Sequence, residues 1–292
     1  MLALVPLFAI AGCSSDNGRE LALFYHWSAA GDAEPAPAPI KVPRMTVPAD
    51  PASLNVPDAV FWAWALLDRT NGQIAGSANA STGTNTTESM IKVWIVADYL
   101  RRLAEQGKEP TPTALNELTL AIIDSNDIMA QKYYVAGGGD AVVRRLIDIC
   151  GLENTRITSG WWSKTMMPPM DAVRYGLCVA EGKAAGPRWT NWVLETMTHV
   201  RGSVKDNTAS VTVQGGRWGI IDALPGALRK TTAIKNGWTA YYDGTGAWHV
   251  NCLAINKYWI LAVEIRTNKN LASAADGCAT IAKALLTPPE VV

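Results

Sequence analysis

TTESMIKVWIVADYL, Thr86 to Leu100, begins as a polar loop and becomes an apolar run with helical spacing. Ser89 stands at the junction and Lys92 three residues on. A lysine on the inner side of a helix is costly to bury, so its presence there asks for a reason. Residues three apart share a helix face, which lets Lys92 turn its amine back toward Ser89. A serine hydroxyl is a poor nucleophile until a base takes its proton. A neutral lysine can be that base where burial and a nearby positive charge lower its pKa. The helix N-terminus supplies free N–H groups and the positive end of a dipole, suited to an oxyanion. The plain alternative is a capping serine followed by a lysine that snorkels to solvent. The core-like VWIVADYL after Lys92 counts against it.

Two more elements follow. In AIIDSNDIMAQKYY (121–134), Ser125 opens a helix after an apolar one and sets another hydroxyl beside the first. In AIKNGWTAYYDG (233–244), a strand carries Lys235 and Gly237. Lys235 adds positive charge that attracts a carboxylate and keeps Lys92 neutral. Gly237 permits close approach to the strand edge, and the N–H of Trp238 is then a second oxyanion donor.

Around these lie the remaining elements. AVFWAWALLD (59–68) alternates, and an Asn-Gly turn leads to a second strand. The helix from Ser89 ends near Glu105. Thr111 is an N-cap with Pro112 at the first helical position. Helices are expected at 127–135, 140–150, 169–182 and 188–200. TTAIKNG, GAWHVNCLAIN and KYWILAVEIRT (231–237, 246–256, 257–267) are strands at hairpin spacing, and 270–286 closes with an amphipathic helix. A strand pair, a helical middle, three strands and a helix predict an α+β fold: an antiparallel sheet of about five strands from both chain ends, with an all-helical subdomain.

At this point the chain resembles the penicillin-recognising serine hydrolases, the class A β-lactamases and the related DD-peptidases, whose set is SxxK, then SDN or SxN, then KTG or KSG. Ser89-Met90-Ile91-Lys92 matches the first. Ser125-Asn126-Asp127 matches the second in its serine only, and Lys235-Asn236-Gly237 has Asn for the hydroxyl residue. WALLDRTNGQIA (64–75) looks like the first sheet hairpin, and KTMMPPMDAVRYGLCVAEG (164–182) like the helix after the omega loop. The resemblance spans about 55–288. It implies Ser89 as nucleophile, Lys92 as base, Ser125 and Lys235 as proton relay and anion holders, and Asn126, Asp127, Asn236, Gly237, Trp238 and Thr239 at the substrate. No ExxLN glutamate is present: between 141 and 180 the acids are Asp148, Glu153 and Asp171. Glu153 reads as a solvated loop acid, so weak or no β-lactamase turnover is expected. Asp127 accepts hydrogen bonds but does not donate them, and Asn236 is no simple stand-in for a hydroxyl.

The start of the chain carries a ten-residue apolar run, Leu2 to Ala11, and Ile10-Ala11-Gly12-Cys13 resembles a bacterial lipobox with Cys13 as the lipidated residue. Only Met1 precedes the run here, where a signal carries a basic n-region; a start further upstream or poor export would account for that, and a chance apolar scrap is the alternative. The expected organisation is a signal at 1–13, a Pro/Ala-rich tether at 14–54 and a domain at 55–292. LALFYHWSAA (21–30) is too apolar for a simple linker. Removing Cys13 leaves Cys150, Cys178, Cys252 and Cys278, which allow three connectivities. The pairing 150–178 with 252–278 is favoured, and four free thiols stay open.

Balanced charge, 26 basic against 26 acidic residues, argues against a nucleic-acid footprint. Three histidines (His26, His199, His249), no HExxH and no CxxC leave no metal site expected, and no cofactor is expected either. AGGGD (136–140) is a loop before a helix, not a phosphate loop. The 12 tryptophans outnumber the 3 phenylalanines; Trp161, Trp162 and Trp238 are expected around the cleft, and Trp62, Trp64 and Trp94 in the core. The expectation is an exported, lipid-anchored, monomeric hydrolase-like protein acting on a cell-wall peptide or β-lactam. Its alternative is a non-catalytic surface lipoprotein that binds a wall component or a protein.

Overall fold

A computed structural model describes residues 44–287, apart from 49, 51–52, 210–213 and 242–246. The lipobox, Cys13 and most of the tether lie outside the described residues. In chain order, β1 (Arg44–Met45), β2 (Ala59–Asp68), β3 (Ile74–Gly76) and β4 (Asn85–Thr86) lead to a 3-10 turn at Glu88–Ile91, which continues as α1 (Lys92–Glu105). Then come α2 (Pro112–Ile123), α3 (Asp127–Ala136), α4 (Asp140–Cys150), β5 (Met166–Met167), α5 (Pro169–Ala180), α6 (Gly186–Thr198), α7 (Val204–Ala209) and α8 (Gly226–Thr231). The chain closes with β6 (Ala233–Ala240), β7 (Trp248–Ile255), β8 (Trp259–Thr267), α9 (Leu271–Leu285) and β9 (Leu286–Thr287).

The main sheet has the order β3-β2-β8-β7-β6, antiparallel throughout. It joins the two ends of the chain where β2 meets β8, as expected. Alternation divides its faces. Leu253, Ile255 and Ile260 crowd Gly176 of α5 on one face. On the other, Ile265 meets Gly277 of α9, and Cys252 is joined to Cys278 of the same helix. Both faces are therefore covered, which is why β8 is buried almost end to end and its period-2 signal is blurred. Lys235 pairs with Leu253 and Gly237 with Asn251, so both lie on the α5 face; Asn236 pairs with Cys252 and lies on the α9 face.

The helical layer centres on α1, whose Lys92–Ala97 segment and Leu100 are buried. Asp98, also buried, is held by Arg145 Nε at 2.8 Å and Arg101 Nη2 at 2.6 Å. Thr111 caps α2 by accepting from the Ala114 N–H at 3.1 Å, with Pro112 opening the helix. A second disulfide, Cys150–Cys178, joins α4 to α5 with Cα atoms 5.4 Å apart. Trp64 and Trp94 are fully buried, while Trp62 is half-buried. The sequence did not announce α7, α8 or the short pairs β1–β9 and β4–β5, elements of two to six residues with too little pattern to read.

Candidate active site

A cleft of about 550 Å³ opens between the β6 edge and the helical layer. Glu88 and Ser89 enter it from the 3-10 turn, Asp127 and Ile128 from α3, Trp161 and Trp162 from the loop before β5, and Trp238 and Thr239 from β6. Trp161 is 60% exposed, a free aromatic wall.

Ser125 is where the predicted elements meet. Its Oγ accepts from Lys92 Nζ at 3.0 Å and from Lys235 Nζ at 2.9 Å, and its carbonyl accepts from Lys92 as well. Both lysines are fully buried. Ser125 itself has φ +55°, the left-handed region, which a residue with a Cβ adopts at a cost. The neighbours hold it there. Asp124 is clamped by Arg201 at 2.5 and 2.7 Å, and Asn126 Oδ1 caps α3 by accepting from the Met129 N–H at 3.0 Å.

Electrostatics divide the two lysines. Burial lowers the Lys92 pKa, while Asp127, with Oδ1 at 2.6 Å from Nζ, works to raise it. Burial also drives Lys235 well below its ordinary value, and the Lys92 charge adds to the fall. Two ammonium groups sharing one hydroxyl repel, so the proton is favoured on Lys92, which has the carboxylate. Ser89 Oγ makes no hydrogen bond with the described residues. In this arrangement the Lys92 amine is turned toward Ser125 and Asp127.

β6 runs hard against the nucleophile turn. A Cβ built on Gly237 would sit 2.5 Å from the Thr87 carbonyl oxygen, 2.7 Å from the Met90 nitrogen and 2.8 Å from the Ser89 nitrogen. Only glycine allows that approach, and the approach brings Ser89 and the backbone of Gly237 and Trp238 to one wall.

Asn236 does not fit its expected place at the substrate. It is buried on the sheet's other face, and its Nδ2 donates to the carbonyls of Gly216 and Trp218, both at 2.8 Å. Strand alternation is the reason: a face that takes Lys235 and Gly237 excludes the residue between them. Asn126 likewise works as a helix cap. Glu153 pairs with Arg174 at 3.0 Å and is exposed. His249 stacks beside Tyr241, ring centroids 4.2 Å apart.

Two carboxyl groups escaped the sequence reading. Glu88, next to Ser89, accepts on Oε1 from Thr86 at 2.7 Å, Tyr241 at 2.9 Å and Lys164 at 3.2 Å. Burial works against the Lys164 ammonium, but Tyr241 and Glu88 outweigh it and raise its pKa. The adjacency of Glu88 to the SxxK serine was the only local signal. Glu264 is buried on the α5 face opposite Asn251 of β7, and burial raises its pKa well above the carboxylate range. Among the described residues no group of three or more His, Cys, Asp or Glu could hold a metal ion, and no helix is long and apolar enough to cross a membrane.

The architecture places the chain among proteins of the β-lactamase-like fold. An ancestral class A β-lactamase, reconstructed as the last common ancestor of Gram-negative bacteria, superposes with a TM-score of 0.58 at 15% identity, covering 77% of this chain and 92% of that one. A β-lactamase from Xanthomonas campestris gives 0.58 at 13%, covering 77% and 90%, and PBP-A gives 0.58 at 14%, covering 79% and 90%. At these identities the likeness is one of fold. In sequence, the chain is 28% identical over 176 residues to proteins of Mycobacterium bovis and Mycobacterium tuberculosis named lipoprotein LppW. The match covers 60% of this chain, which spans about half (52%) of the length of those relatives. No protein-family model matches.

Proposed function

We propose that the protein is an exported, lipid-anchored serine hydrolase-like protein that forms an acyl-enzyme at Ser89 with a cell-wall peptide or a β-lactam. The observation that carries this reading is the convergence of Lys92 and Lys235 on Ser125 Oγ, at 3.0 and 2.9 Å, behind the cleft that Ser89 lines. In the proposed reaction Lys92 first gives its ammonium proton through the exposed Asp127 to solvent; the neutral amine then swings one helical turn back and takes the Ser89 proton. Ser125 and Lys235 relay protons and balance negative charge. The N–H groups of Ser89 and Trp238 receive the oxyanion, and Thr239 with Trp161 and Trp162 contacts the substrate. The lipid anchor at Cys13 draws support from the likeness to the LppW proteins, whose name says lipoprotein.

One observation favours a second reading, a surface lipoprotein that binds a wall component without turning it over. The Lys92–Asp127 contact at 2.6 Å works in favour of the ammonium form of the base and turns it toward Asp127. A fluorescent penicillin followed by intact-mass measurement separates the two. An adduct lost in Ser89→Ala supports the acyl-enzyme; no adduct at saturating dose favours the binder.

A further inference from the structure

We propose that Glu88 is the base that activates water to release the acyl group from Ser89. This rests on the acyl-enzyme reading above and supplies what the missing ExxLN glutamate leaves open.

Glu88 directly precedes the nucleophile and lines the same cleft. Its side chain is only 8% exposed, yet the two carboxylate oxygens differ. Thr86, Tyr241 and Lys164 all donate to Oε1. Oε2 accepts from none of the described residues, and it is not among the buried side-chain oxygens left without a partner. It therefore keeps some contact with solvent, and the residue that carries it borders the cleft. One oxygen is clamped and the other is presented.

The clamp ties three segments into one wall. Lys164 comes from the loop of Trp161 and Trp162, Tyr241 follows β6, and Thr86 ends β4. The Lys164 ammonium also lies 4.0 Å over the Tyr241 ring and 2.5 Å from its hydroxyl. Glu88 sits at φ +47°, a left-handed conformation unfavourable for a residue with a side chain. Strain of this kind persists where surrounding contacts over-determine it, commonly at functional sites. The other acids are poorer candidates. Asp127 is 74% exposed and taken by Lys92, Glu153 lies outside the cleft lining in its pair with Arg174, and Glu264 is sealed in the sheet.

In the step itself, Oε2 takes a proton from water as the water oxygen bonds to the acyl carbon. Collapse of the tetrahedral intermediate breaks the bond to Ser89 Oγ, and Glu88 returns its proton to that oxygen. A free acid and the serine hydroxyl result, with water as the only co-reactant.

The test follows the lifetime of the fluorescent penicillin adduct by intact mass in the wild-type protein and in Glu88→Gln. Both should acylate, and the Gln adduct should persist ~10²-fold longer or more, the usual weight of a general base. Equal lifetimes overturn the assignment and leave the acyl-enzyme standing; no adduct in either protein overturns both. Should Glu88→Gln disturb the turn and fail to acylate, breakdown of the wild-type adduct in D2O decides. Slower release than in H2O supports proton transfer by the base, and equal rates overturn it.

Discussion

Lys92 Nζ lies 2.6 Å from Asp127 Oδ1, and the two partners sit in opposite surroundings: the amine is sealed from water and the carboxylate is 74% exposed. Burial alone would lower the amine's pKa; the carboxylate works in the other direction. Removing it as Asp127→Asn lets the Lys92 pKa fall further and enlarges the neutral fraction at neutral pH. We expect Ser89 acylation to quicken several-fold and the acid limb of its pH profile to move to lower pH. Acylation rates across the pH range check this; an unmoved profile would show that Asp127 does not hold the proton.

Gly237→Ala inserts a methyl group into backbone at 2.5–2.8 Å. Backbone has little freedom to yield, so the strand must retreat from the nucleophile turn. Overpacking of this kind costs about 1–3 kcal/mol. Losing one oxyanion donor lowers the rate by ~10²-fold or more. A thermal melt together with an acylation rate reads both. Unimpaired acylation would remove the β6 backbone from the oxyanion site.

Lys235 is a base whose folded pKa lies well below 10.5. Its unfolded form binds a proton the folded form resists, so stability is full above the unfolded value and falls as pH drops from about 10.5 toward the folded value. Lys235→Met fills similar volume without that penalty. Stability at neutral pH should hold or rise by up to a few kcal/mol, more so as pH falls, while acylation is lost. A destabilised Met variant would mean that the contact with Ser125 outweighs the burial cost.

Glu264 carries the opposite sign. Burial keeps it protonated far above its ordinary 4.5, against weaker opposition from Arg266 and the Asn85 N–H. Neither of its oxygens completes a hydrogen bond in the sheet, and neither does Oδ1 of Asn251 opposite; a protonated carboxyl has a hydrogen to donate there. Its stabilising share is whole below pH 4.5 and is lost as pH rises through the folded pKa. Glu264→Gln should flatten the alkaline side of a plot of melting temperature against pH. Coincident wild-type and variant curves would show that Glu264 does not titrate in the fold.

Local pattern carried much of this structure. The apolar run after Lys92 marked a buried helix, Thr111-Pro112 its successor's start, and strands at hairpin spacing the sheet's second half. The motif reading put Asn236 at the substrate and overlooked that strand alternation forbids it the face of Lys235 and Gly237. The clamp on Glu88 was not readable, for Lys164 is 76 residues away and Tyr241 153. Their side chains look like ordinary loop and strand-end residues until the sheet and helical layer close.

By itself, then, the order of residues determined which segments are helix and strand and which groups are chemically able to react, because propensity and periodicity act over a few residues. Tertiary structure alone decided the states of those groups. Burial and proximity to charges from distant segments set which lysine keeps its proton, which carboxylate oxygen is free and which carboxyl stays neutral.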